Sequence, residues 1–132
     1  MCVWTRQQAL WGHSLAGLFV LHALYAGDGW FTDFVAASPS LCWGQCALLG
    51  EPERCFLARG LRGAARLWLW LCLGGAERAW QLAARLSATP GLAVHYREFP
   101  ALHHVAVFQA ALRAALREVI GPRARGEGKR RG

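Results

Sequence analysis

The run Gly12-His13-Ser14-Leu15-Ala16-Gly17 carries the sharpest chemical signal in the chain. A serine hydroxyl is a poor nucleophile unless a base takes its proton. It gains from a tight strand-to-helix turn, which exposes Oγ and points helix N-terminal amides at developing negative charge. Such a turn is strained, and bulky residues two positions to either side would clash. Gly12 and Ala16 occupy those two positions, with Gly17 next. The Leu15 backbone N–H would be one oxyanion donor. The plainer reading is that Ser14 simply caps a helix, a role serine fills well. The remaining chemistry is expected in the chain order serine, acid, histidine, each at the C-terminal end of a strand. Glu77 follows Gly74-Gly75, and the pair His103-His104 follows a strand pattern and precedes a helical one. Glu77 can equally be a first-turn carboxylate favoured by a helix dipole. His104 can equally be an ordinary loop histidine. On residue type alone, His13, His22 and His95 read better as packing groups.

The elements that must position these groups follow from punctuation and periodicity. Ala9–Trp11 is a short apolar run ending at Gly12. Leu15–Ala26 is apolar on nearly all faces, which predicts a buried helix, and Gly27-Asp28-Gly29 stops it. Phe34–Ala37 is a second apolar run, closed by Ser38-Pro39-Ser40. Residues 51–60 suit a helix with Pro52 in its first turn. Leu67–Leu73 is uninterrupted and apolar, as in a strand covered on both faces. A helix over Glu77–Leu86, a strand over Leu92–Phe99 and a helix over Val105–Ile120 complete the series. The last helix shows a stripe of Val105, Phe108, Leu112, Leu116 and Val119. This β-α alternation predicts an α/β fold with about four parallel strands and flanking helices.

Composition narrows the function. The 132 residues are 55% apolar, which excludes disorder for most of the chain. The net charge of +7 is concentrated at one end, because residues 121–132 supply +4 of it. A domain over 1–120 and a basic, disordered tail over 121–132 are expected. No basic patch interleaved with aromatics occurs in the body, so nucleic-acid binding is not expected. Five cysteines without a CxxC pair or zinc spacing argue against a metal site and a disulfide framework, and favour a reducing, cytoplasmic setting. Ala9–Ala26 approaches the length of a membrane span. Its Gly12, His13, Ser14, Gly17 and His22 make insertion costly, and no membrane association is expected.

Four blocks in order, WGHSLAGLFVLHAL, FVAASPSLCWG, LCLGGAE and FPALHHVAVFQAAL, resemble an esterase family of α/β-hydrolases. That family includes the enterobactin- and bacillibactin-type siderophore esterases and relatives of the esterase D kind. The resemblance runs over about residues 4–120. It implies a serine esterase acting on carboxylic esters through an acyl-serine intermediate, with a small-molecule ester substrate and no cofactor. Ser14 matches the nucleophile, His104 the base and Glu77 the acid. Some relatives work with a Ser–His dyad, which leaves the need for Glu77 open. Ser38-Pro39-Ser40 and Trp43 match the block that lines the site, and His13, beside the nucleophile, is expected to meet substrate with Ser38 and Trp43. Ala16 stands for a Gly, Cys42 for an aromatic and His103 for a Gly before the base.

The resemblance also implies that the blocks form the C-terminal half of the fold. The family carries several strands before the elbow, and a loop there supplies the second oxyanion donor. The chain is therefore expected to be weak or inactive alone, its open sheet edge covered by a second copy or a complementary chain. The alternative is a catalytically silent hydrolase fragment.

Overall fold

A computed structural model describes residues 7–27, 29–61, 67–74 and 79–119. Four strands, β1 (Ala9–His13), β2 (Asp33–Ala37), β3 (Leu67–Gly74) and β4 (Leu92–Phe99), form one parallel sheet in the order β1-β2-β3-β4. Gly12 stands opposite Ala36 and His13 opposite Ala37, so the C-terminal ends of β1 and β2 finish together. Helices α1 (Leu15–Ala26), α3 (Glu51–Arg59), α4 (Trp80–Ser87) and α5 (Val107–Glu118) flank the sheet. Between β2 and α3 lie an irregular turn, α2 (Trp43–Cys46), and a 3-10 turn, Ala47–Leu49.

Alternation along the strands divides the core in two, because successive side chains point to opposite faces. Phe34, Ala36, Leu69 and Leu71 pack with Leu18, Leu21 and Leu24 of α1, Phe56 of α3, and Leu82 and Leu86 of α4. Ala37 and Cys72 turn the other way and pack under Val107 and Ala111 of α5. All five β2 residues are buried, as expected of a strand covered on both faces. Burial pushes the Cys72 thiol up to about 11. Glu53, itself buried, receives two hydrogen bonds from the Arg85 guanidinium, tying α3 to α4.

Two helices differ from the sequence expectation. Helix α1 has the expected bounds but not all-round burial: Leu15 and Phe19, the latter 61% exposed, face solvent on one side. Helix α5 buries Val107 and Ala111; of the expected stripe Val119, at the C-cap, is buried, while Val105, Phe108 and Leu116 are exposed. The reason is spacing. Helix α5 lies against β2 and β3, and Val107 and Ala111 make its buried contact with the sheet. Small side chains there allow a close approach, and the large residues of the stripe fall beside that contact line.

Among the described residues β1 pairs with β2 alone. No helix among the described residues is long and apolar enough to cross a membrane. Glu77 and the 121–132 tail lie outside the described residues.

Candidate active site

Ser14 sits between the end of β1 and the start of α1 with φ 60° and ψ −119°. A positive φ at a non-glycine residue is uncommon and costs on the order of 1–3 kcal/mol. The surrounding chain enforces it. The Ser14 N–H donates to Ala37 O at 2.9 Å, and its carbonyl accepts from Leu18 N–H and Ser40 N–H at 3.1 Å each. Gly12 shows why bulk is excluded: a Cβ there would lie 2.3 Å from Ala16 O. A Cβ on Gly17 would press on Ala37 O at 3.0 Å and Pro39 Cα at 3.1 Å, so this glycine lets α1 approach the end of β2. The Ala16 side chain, by contrast, is exposed, so alanine in place of glycine costs no packing at that position.

Ser14 occupies the N-cap position of α1, but its side chain makes no capping hydrogen bond. Its Oγ lies 3.1 Å from Ser40 Oγ instead. Simple helix capping therefore does not account for this serine. Leu15 opens the helix, and its N–H belongs to the first turn, whose amides lack intrahelical acceptors.

His104 lies in the segment between β4 and α5, and its carbonyl accepts a hydrogen bond from His13 Nε2 at 2.8 Å. The two imidazoles are 4.9 Å apart between centroids, tilted by 45°. The base candidate is thus held against the residue that precedes the nucleophile candidate. His103, which replaces a glycine in the family pattern, does not take a positive φ, so the substitution strains nothing.

The other expected residues are placed differently. Ser38 has φ 40°, is wholly buried, and donates its N–H to Cys72 O at 2.6 Å. Its hydroxyl has no partner among the described residues. Trp43 is exposed and lines an apolar hollow of about 420 Å³ with Leu15, Phe19, His22 and Pro52. This hollow carries no Lys, Arg, Asp or Glu in its lining. Ser40, expected only as part of the Ser38-Pro39-Ser40 block that lines the site, is the residue of that block whose hydroxyl meets Ser14. No group of three or more potential metal ligands occurs among the described residues.

The chain is similar to known proteins over most of its length. The profile of a family described as "Putative esterase" matches residues 3–119. The chain is 40% identical over 70 residues to a siderophore enterobactin esterase of Emericella nidulans, covering 53% of the chain and 23% of that protein. It is 27% identical over 128 residues to the ferri-bacillibactin esterase BesA of Bacillus subtilis, covering 89% of the chain and 44% of the relative. Among solved structures, the siderophore hydrolase EstA from Aspergillus nidulans superposes with a TM-score of 0.74 at 26% identity, over 84% of this chain and 46% of that one. The chain spans less than half the length of each of these relatives.

Proposed function

The chain belongs to that esterase family of α/β-hydrolases, and on this premise we propose that it is a serine hydrolase of carboxylic esters, siderophore-esterase-like in substrate. The observation that carries the reading is the strained backbone of Ser14, held by its hydrogen bonds to Ala37, Leu18 and Ser40 and unexplained by capping. Strain of this kind persists only where the surroundings over-determine it, and it gathers at reactive positions.

In the proposed reaction Ser14 Oγ leaves Ser40, attacks the ester carbonyl carbon and passes its proton to the His104 imidazole. Negative charge on the carbonyl oxygen is met by the Leu15 N–H. Collapse of the tetrahedral intermediate expels the alcohol, which takes its proton from His104. Water, deprotonated by the same imidazole, then attacks the acyl carbon and frees Ser14. Glu77 would orient the imidazolium. The apolar hollow at Leu15 and Trp43 suits an uncharged acyl or aryl part of the ester. The odd count of five cysteines, with no CxxC pair, favours a cytoplasmic setting. The test is a fluorophosphonate probe followed by mass spectrometry of the labelled peptide. Label on Ser14 is expected; label on Ser38 or Ser40 with Ser14 untouched overturns the assignment.

A second reading rests on the edge of β1 that has no partner strand among the described residues, and on the exposed apolar residues of α1 and α5. In it the chain is catalytically silent until a second copy or a complementary chain covers that edge. A silent chain would resist the probe alone and accept it once the edge is covered.

A further inference from the structure

We infer that His13 is a positioning residue for the base: its imidazole tethers the backbone of His104 to the strand that carries Ser14. The inference rests on the reading of Ser14 and His104 as nucleophile and base.

The hydrogen bond fixes the direction of the interaction. Its acceptor is a carbonyl oxygen, so His13 Nε2 must carry the proton and donate it. The nitrogen is therefore already committed, and His13 acts here as a strut rather than as a proton acceptor at that atom. The ring also packs against two others, His104 at 4.9 Å and Phe108 edge-on at 5.4 Å and 78°. Phe108 is in turn held edge-on by Trp11 at 5.0 Å and 88°. Two residues of β1, Trp11 and His13, thus point to the same face and grip the start of α5.

Within the segment that carries His104 the backbone ties are short-range. Leu102 N–H donates to Phe99 O, Val107 N–H to His103 O and Phe108 N–H to Val105 O. These bonds shape the loop locally, and Leu102 packs with Trp11 of β1 on the cluster of Ala37, Cys72, Val107 and Ala111. The His13 bond spans 91 residues of sequence and adds a directional tie between that loop and β1, where packing alone permits sliding. Because His13 and Ser14 are joined by one peptide, any shift of β1 moves the nucleophile and the backbone of the base together. Such coupling matters, since a 1 Å misplacement of a catalytic group can cost about 10²-fold in rate.

The test uses the intact chain and three variants. H13F keeps a planar ring but removes the donor, H13Q restores an amide donor, and H104Q removes the base. Fluorophosphonate labelling of Ser14 is expected to slow by about 10-fold to 10²-fold in H13F and to recover in part in H13Q. The H13F/H104Q pair is expected to label no more slowly than H104Q alone, because a strut has nothing left to position. Amide exchange supplies a readout that does not need activity: H13F should speed exchange of Leu102 and Val107 and leave the buried amides of α1 unchanged. Unchanged loop exchange in H13F overturns the tether. Faster exchange with undiminished labelling overturns the positioning role. If H104Q labels as fast as the unaltered chain, or the unaltered chain does not label, the esterase reading fails, and the tether is then judged on exchange alone.

Discussion

Replacing Gly12 with alanine tests the elbow at its most constrained point. The new Cβ would lie 2.3 Å from Ala16 O, 2.5 Å from Ala16 C and 2.9 Å from Gly17 N. All three atoms are backbone, so no side-chain rotation relieves the contact. Relief requires the first turn of α1 to withdraw from β1 by roughly 1 Å, the difference from an ordinary carbon–oxygen contact. Overpacking of this kind costs about 1–3 kcal/mol, and the backbone contact puts Gly12→Ala at the upper end. For a chain of this size that lowers Tm by roughly 8–12 °C, at about 4 °C per kcal/mol. Withdrawal of the turn also displaces Ser14 and the Leu15 N–H, and misplacement by about 1 Å is worth about 10²-fold in labelling rate. The control is Ala16→Gly, which removes an exposed methyl and costs no more than about 1 kcal/mol of helix propensity. Thermal melts and fluorophosphonate labelling are run on both variants. A G12A protein that melts with the unaltered chain and labels as fast would refute the steric argument and the elbow built on it.

Replacing His104 with Gln is expected to cut any esterase turnover by at least about 10²-fold, the usual worth of a general base, while His103→Gln has little effect; equal, mild losses would count against His104. Arg85→Ala leaves the buried Glu53 carboxylate without its guanidinium, and should cost about 2 kcal/mol in denaturant melts, below the 3–5 of a fully buried pair because Arg85 is partly in water. The folded-state pKa of Cys72 is raised to about 11. Its neutral thiol thus contributes stability fully present below the thiol's unfolded pKa and lost as pH rises towards 11; Cys72→Ala should flatten the fall in stability over that window, and an unaltered pH profile would refute the assignment. Turnover of a nitrophenyl ester by residues 1–132 alone is expected to be slow, and a polypeptide that pairs with β1 and brings a second oxyanion donor should raise it by about 10²–10³-fold. Rapid turnover by a monomer would show that the chain completes its own oxyanion hole.

Much of this fold was legible in the sequence, because its causes are local. Leu15–Ala26 and Leu92–Phe99 have the bounds that the apolar runs and their glycine stops implied. The parallel sheet followed from strands and helices in alternation, which leave no room for hairpins. The need for Gly12 was readable too, since contact between residues four apart in a tight turn is fixed by chain geometry alone. The solvent-facing side of α1 was not. An all-round apolar helix does not say which side has a neighbour, and the packing of α3, α4 and the sheet leaves Phe19 outside. The α5 stripe misled for a related reason: periodicity identifies an apolar face, but the distance between helix and sheet decides whether large or small residues fill the contact.

The sequence by itself determined the kinds of group available: a serine at a strained turn, a histidine before the last helix and the strands that bring both to one end of the sheet. Only the tertiary structure decided what these groups touch. Ser14 Oγ meets Ser40 Oγ across 26 residues because β1 and β2 end in register. His13 meets His104 because α5 crosses back over the face to which odd-numbered β1 side chains point. Hydrogen bonds form between atoms at contact distance, and contact between distant segments is set by how elements stack. Local sequence selects the elements, and the packing of one against another selects the partners.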